Sequence, residues 1–276
     1  MWFSRLLPVL VWVLALALTG CGREPAPSGS GPAEPTPAAT PAPVRDPQVE
    51  LEAQGRFVYE RNCLVCHGRW GDGRGEMAEG MLPQPGDLTR ARFKFRSTPS
   101  GFLPTDEDLR RTIVLGVAGS SMPTFAHLSD RDLNAVIAYV KMFSRRWDDP
   151  HLRGEPVALP SAPEWLEDPA TRLVHARHGQ ELFTANCAVC HGPGGHGDGP
   201  AAANLEDDAG RPAPPADLTT GLWKSGRTPA DLFRTLTTGF DGTPMPSFGE
   251  TLSADERWDL VSFLLTLPAA AGSPAR

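Results

Sequence analysis

Cysteine is scarce in this 276-residue chain: Cys21, Cys63, Cys66, Cys187 and Cys190 are all there are. Four of the five fall in two copies of one short motif, so the disulfide framework that staples small secreted domains is excluded. Tyrosine is scarcer still, with only Tyr59 and Tyr139. Long apolar runs are also missing. The run from Leu6 to Leu18 has thirteen residues, where a membrane-spanning helix needs about 20. No basic tract stands out and the net charge is −7, which gives nucleic-acid binding little support. Nothing reads as paired strands; "RARFKFR" at 90–96 alternates like a strand, but it stands alone. What the chain has in quantity is 29 Pro and 28 Gly, the composition of linkers and loop-rich domains. Its length suits two domains of about 100 residues each.

Arg5 followed by a short apolar run reads as a secretory signal. The run ends in "LTGC" at 18–21, which resembles a bacterial lipobox. That resemblance implies removal of residues 1–20 and a lipid anchor on Cys21; an uncleaved signal anchor is the alternative. Either expectation puts the rest of the chain outside the cytoplasm and against a membrane, facing the periplasm or outer side. Residues 21–46 hold almost no large apolar side chain and read as a tether. A Pro-rich tether of this length reaches on the order of 75 Å.

The remainder repeats itself. "NCLVCHG" at 62–68 recurs as "NCAVCHG" at 186–192, Asp87-Leu88-Thr89 as Asp217-Leu218-Thr219, and "SMPTF" at 121–125 as "PMPSF" at 244–248. The expected domains are 47–146 and 170–270, joined by an extended connector at 147–169 and followed by a tail at 271–276. Each repeat predicts a helix before its cysteine pair and a middle helix capped by Thr105 with Asp108, or by Thr228 with Asp231. A last helix follows, starting at Ser129 or Ser253. In the first repeat Leu133, Val136, Ile137 and Val140 form one buried stripe, and Met142 reads as core of the same helix. Residues 47–146 carry 14 basic and 12 acidic residues, a net of +2, against 8 and 12, a net of −4, over 170–276. That asymmetry suits docking of different partners on the two domains.

C-x-x-C-H reads as a c-type haem attachment site. Thiols at this spacing can add to the two vinyl groups of one haem, and the next side chain then faces the iron, where imidazole is a good ligand. The candidate attachment residues are Cys63, Cys66, Cys187 and Cys190, with His67 and His191 as iron ligands. A zinc site would need a fourth ligand in each copy. A thioredoxin-like C-x-x-C would need βαβ surroundings.

On these motifs both repeats resemble class I cytochrome c domains. The resemblance implies an all-α fold, a few helices around each covalent haem, and two haem c groups in tandem. In that family a glycine eight residues before the first cysteine and an aromatic four before it cross the C-terminal helix. Here these are Gly55 and Tyr59, then Gly179 and Phe183, with Tyr139 and Phe263 opposite. The family's sixth ligand is usually a methionine in a later loop, which implies Met122 and Met245, 55 and 54 residues after their histidines. Met77, Met81 and His127 are rivals in the first repeat, without counterparts in the second. The family's acceptor for the histidine ring proton is a proline carbonyl, which implies Pro85 and Pro215. Arg90, Arg92, Lys94 and Arg96 are open between haem propionates, a partner surface and a solvated strip.

Iron closed by His and Met carries electrons and leaves no position for substrate. The expected function is electron transfer between redox partners of a bacterial respiratory chain, beside a membrane-bound or periplasmic oxidoreductase. "FKFRSTPSGFLPTDEDL" and "LEDDAGRPAPPADLTTG" are similar to dihaem cytochromes encoded beside such enzymes. A dihaem peroxidase or a haem-based gas sensor, with one labile ligand, is the alternative.

Overall fold

The computed structural model describes residues 46–267. The signal, Cys21, the tether up to residue 45 and the tail at 271–276 lie outside the described residues. Eight α-helices occur among the described residues, four in each repeat. The first set is α1 (Pro47–Asn62), α2 (Leu64–His67), α3 (Asp106–Leu115) and α4 (Asp130–Lys141). The second is α5 (Pro169–Asn186), α6 (Ala188–His191), α7 (Pro229–Thr238) and α8 (Ala254–Leu264). The only β pairing among the described residues is two isolated bridges, so the fold is all-α. "RARFKFR" is not a strand; it begins in a 3₁₀ turn at Leu88–Arg90, and Ala91 follows at φ 44°.

The helix starts follow from their caps. Thr105 and Thr228 each accept the backbone N–H three residues on, and Asp108 and Asp231 return the bond to the cap backbone. These reciprocal pairs satisfy amides that the first turn leaves open. Ser253 and Glu256 do the same for α8. At α4 the reciprocal bond is diverted: Asp132 accepts from the Ser129 hydroxyl at 2.8 Å and from Gln54 of α1 at 2.6 Å. The cap of α4 thereby ties the two crossing helices together.

In each repeat the first and last helices cross at a glycine. Tyr59 packs on Tyr139 with ring centroids 5.4 Å apart, and Phe183 packs on Phe263 at 5.1 Å. Leu133, Val136, Ile137 and Val140 are all buried, as their spacing predicts. Met142 is 56% exposed. It caps the end of α4, two positions past Val140, and Phe143 takes the inward place beside Tyr59.

The connector is a strap rather than a free extended segment. It carries 3₁₀ turns at Arg145–Asp148, Pro150–Leu152 and Glu164–Leu166. Leu103 donates to the Leu152 carbonyl and Val157 to the Ser97 carbonyl, each at 2.8 Å, which holds its first half on the first domain. Leu166 is buried in the core of the second.

The two domains meet along the basic strip. Arg90 and Arg92 pair with Asp208 at 3.0 and 3.1 Å, and Phe95 meets Phe240 edge-on at 5.5 Å. Arg96 is fully buried; it donates to the Thr238 carbonyl at 2.8 Å and pairs with Asp241 at 3.2 Å. Much of the charge asymmetry between the domains is therefore consumed within the chain.

Candidate functional site

Each motif copy sits on a one-turn helix. Cys63 N–H bonds the Tyr59 carbonyl to end α1, and His67 N–H bonds the Cys63 carbonyl to close α2, both at 2.8 Å. Cys187 and His191 repeat these bonds at 2.8 and 2.9 Å. Positions i, i+3 and i+4 of one turn lie on one face, so two thiols and an imidazole point the same way. Gly68 (φ 79°) and Gly192 (φ 74°) then carry the chain off the turn.

Cys63, Cys66, Cys187 and Cys190 are not paired with one another as disulfides. Burial, then the neighbouring cysteine, pushes Cys63 up to about 12 and Cys187 up to about 11. A redox C-x-x-C needs the reverse, a thiol with a lowered pKa. Among the described residues no three His, Cys, Asp or Glu side chains are grouped to hold a metal ion.

Burial holds His67 and His191 below the ordinary histidine range, opposed by a backbone hydrogen bond. That bond joins His67 Nδ1 to the Gly86 carbonyl at 3.1 Å and His191 Nδ1 to the Ala216 carbonyl at 3.2 Å. Donation from Nδ1 fixes the ring and leaves Nε2 unprotonated, available to a metal. The acceptor is thus one residue beyond the expected Pro85 and Pro215. Their carbonyls face Gly73 and Gly197 instead, where an added Cβ would stand 2.6 Å from the proline oxygen. With the proline carbonyl turned to that glycine, the next peptide presents its oxygen to the ring.

Met122 and Met245 are half-buried on matching loops. Val117 N–H bonds the Met122 carbonyl at 3.1 Å, and Phe240 N–H bonds the Met245 carbonyl at 3.2 Å. Ser120 and Thr243 hydroxyls accept from the two methionine amides at 3.2 and 3.3 Å. Gly116 and Gly239 end α3 and α7 at φ 65° and 64°, each packed on the proline that follows the methionine. Met77 is 56% exposed and His127 is exposed, while Met81 is half-buried; none of the three has a counterpart in the second repeat.

The side chains around each motif fit a flat apolar group. The first domain's main cluster has only Val58, Tyr59, Val136 and Val140 buried. Half-buried Cys63, Leu64, Leu88, Phe93, Ile113 and Leu128 pack against that cluster. Cys187, Ala188, Leu218, Trp223 and Phe248 pack in the same way against the second domain's cluster. Thiols, a neutral imidazole and an apolar wall together suit covalent haem.

The backbone acceptors Gly86 and Ala216 escaped the sequence reading because a carbonyl leaves no side-chain signature. Lys224, at the same place in the second repeat as Lys94, also went unnoticed; its signal was the offset of 130 residues that relates Asp87 to Asp217.

The family described as cytochrome c oxidase, cbb3-type, subunit III matches residues 50–140 and again 174–264. The cbb3-type cytochrome c oxidase subunit FixP of Azorhizobium caulinodans is 28% identical over 220 residues, 78% of this chain and 59% of that protein. The subunit CcoP of Azospirillum brasilense is 26% identical over 205 residues, 72% of this chain and 56% of that one. This chain therefore spans less than two thirds of the length of either. A reducing HAO-like protein complex of Kuenenia stuttgartiensis contains a chain 38% identical to this one, with a TM-score of 0.74 over 82% of this chain and all of that chain. Two copies of one C-x-x-C-H turn, each in its own helical domain, agree with these likenesses: the chain belongs to the family of cytochrome c oxidase, cbb3-type, subunit III, as a tandem class I c-type cytochrome with two haem c groups.

Proposed function

We propose that this chain is a dihaem electron relay with His67 and Met122 on one iron and His191 and Met245 on the other. The observation that carries the reading is the repeated methionine loop, braced by the same hydrogen bonds in both domains. Haem iron supplies a one-electron redox change, raised in potential by His/Met ligation. The chain's own residues hold that chemistry in place. Gly86 and Ala216 orient the imidazoles, and the apolar walls limit water. The Arg96–Asp241 pair and the Phe95–Phe240 contact hold the domains together, which favours transfer between the haems.

The relatives named as subunits of cbb3-type oxidases support a membrane oxidoreductase as partner. In this reading Cys21 carries a lipid that keeps the relay at the outer or periplasmic face of a bacterial membrane. Diacyl anchoring is strong enough for that. Replacing Cys21 by Ser is expected to release the protein from membranes, and mass spectrometry of the mature N-terminus reads the modification directly.

The oxidised protein is expected to show the far-red charge-transfer absorption of methionine-ligated iron. Met122→Ala and Met245→Ala should each remove part of it and lower one midpoint potential. An oxidised protein without that absorption, with high-spin iron and peroxide turnover, would overturn the relay in favour of a peroxidase.

A further inference from the structure

The two methionine loops are built alike from within. In the first, the Ser120 amide and hydroxyl both donate to the Val117 carbonyl, at 3.1 and 2.8 Å. In the second, Thr243 donates to the Phe240 carbonyl in the same two ways, at 3.1 and 2.8 Å. Their surroundings differ. Phe240 and Asp241 stand where the first loop has Val117 and Ala118. Ala118 is exposed and offers neither ring nor charge. Where Gly119 nears the second domain, an added Cβ would meet the Leu222 carbonyl oxygen at 3.5 Å, an ordinary contact.

The second loop is instead clamped by the first domain. The Phe95 ring meets the Phe240 ring edge-on at 5.5 Å. Asp241 accepts from Arg96 at 3.2 Å, from the Ser100 hydroxyl at 2.9 Å and from the Gly101 amide at 3.2 Å. The Gly242 carbonyl accepts from the Asp208 amide at 3.0 Å, and the Asp208 carboxylate is in turn held by Arg90 and Arg92. Just before the loop, Arg96 donates to the Thr238 carbonyl at 2.8 Å, one of the carbonyls that the last turn of α7 leaves open. A cation there also suits the negative end of the helix. At the far end of the loop, the Phe240 amide holds the Met245 carbonyl at 3.2 Å. A shift of Phe240 is therefore passed to Met245 through the loop's own bonds.

We propose that Phe95 and Arg96 are positioning residues for Met245, so that the first domain holds the ligand loop of the second domain's iron. The proposal rests on the reading of Met245 as an iron ligand. It makes the two irons unequal. Met122 stands on a loop braced by its own domain, whereas Met245 keeps its place only while the junction is closed. Opening the junction would free the thioether, lower the second potential and leave that iron open to a small ligand.

The test uses the full holoprotein with the junction variants Phe95→Leu and Asp241→Asn, the conservative variant Phe95→Tyr, and His178→Gln, which loosens the second domain away from the loop. Met122→Ala and Met245→Ala assign the far-red absorption and the midpoint potentials to their irons. Both junction variants should lose absorption that Met245→Ala also removes, lower the second potential, and bind carbon monoxide at that iron in the reduced protein. The sign separates ligand loss from a charge effect in Asp241→Asn, because removing a negative charge alone disfavours the oxidised iron and raises the potential. Phe95→Tyr and His178→Gln should match the wild type. In all four the first iron should keep its absorption, and its potential should not fall. Second-iron signals unchanged in both junction variants would overturn the proposal. So would equal losses at both irons, or a loss in His178→Gln as large as in the junction variants, because either reports general loosening. If Met245→Ala itself leaves the absorption and both potentials unchanged, the ligand reading fails, and the proposal with it.

Discussion

Gly55 lies so close to Ala135 that a side-chain carbon built on it would stand 2.2 Å from the Ala135 carbonyl oxygen. Gly179 meets Asp259 in the same way, at 2.0 Å. Backbone touches backbone at both helix crossings, and the next turn brings Tyr59 to Tyr139 and Phe183 to Phe263. Alanine would favour an isolated helix by about 1 kcal/mol over glycine. Here the helices must part to admit the methyl group, and overpacking of a well-packed contact costs about 1–3 kcal/mol. Gly55→Ala and Gly179→Ala are therefore expected to destabilise, each by up to about 2 kcal/mol after the propensity gain. Guanidinium unfolding of the holoprotein checks this, and an unchanged midpoint would show that the crossing is not tight.

The junction between the haem domains depends on Asp241. Its carboxylate accepts from Arg96 at 3.2 Å, from the Ser100 hydroxyl at 2.9 Å and from the Gly101 amide. The Arg96 side chain is 0% exposed and that of Asp241 is 9%. Removing one partner of a buried pair leaves an uncompensated charge and costs about 3–5 kcal/mol. Asp241→Ala should lose stability of about that size and split thermal unfolding into two transitions. A single unshifted transition would mean that the domains are held by other contacts.

The parts of the molecule legible in the sequence are those encoded within a few residues. The caps at Thr105, Thr228, Ser129 and Ser253 depend on partners three positions away. The attachment turn depends on Cys63, Cys66 and His67 alone. The resemblance to class I cytochrome c domains made the helix crossings legible, because Gly55 and Gly179 hold that family's glycine position before their cysteines. The junction was opaque for the opposite reason. Arg90 and Asp208 are 118 residues apart, and Arg96 and Thr238 are 142 apart. Read as totals, the charges of the two domains suggested external partners. In the fold, Arg90, Arg92, Arg96 and Arg111 are turned to the second domain. Pro85 and Pro215 missed the acceptor by one residue because peptide orientation is set by Gly73 and Gly197, far from the prolines in sequence.

Tyr59 makes a hydrogen bond that the first haem domain has and the second lacks. Its hydroxyl donates to the Gly68 carbonyl at 2.8 Å, directly after His67, and burial pushes the phenol well above its ordinary range. The equivalent residue is Phe183, which has no such donor. Gly68 also accepts from the Gly71 amide at 3.2 Å, so its oxygen keeps a partner when the hydroxyl is lost. Tyr59→Phe should therefore cost about 0.5–1.5 kcal/mol, less than the loss of a sole buried partner. Chemical unfolding measures the cost, and a loss well beyond that range would assign the hydroxyl a larger role beside the attachment turn.

His178 supplies a pH-dependent contact between α5 and α8. Asp259 holds His175 Nδ1 at 2.6 Å through one oxygen and His178 Nδ1 at 2.7 Å through the other, while Trp165 stacks on His175 at 3.6 Å. The hydrogen bond to Asp259 raises His178 above the ordinary histidine range; desolvation opposes it, and Asp259, Glu181 and Glu256 add favourable charge. A histidine raised in the folded state stabilises fully below its unfolded value and loses that contribution as pH rises through its folded value. His178→Gln should therefore lower the melting temperature more at about pH 5 than at about pH 8. The His178 side chain is 52% exposed, so solvent screening keeps the difference below about 1 kcal/mol. Melting curves of wild-type and variant holoprotein at the two pH values decide it, and an equal loss at both would show that packing, not the shared carboxylate charge, is what His178 contributes.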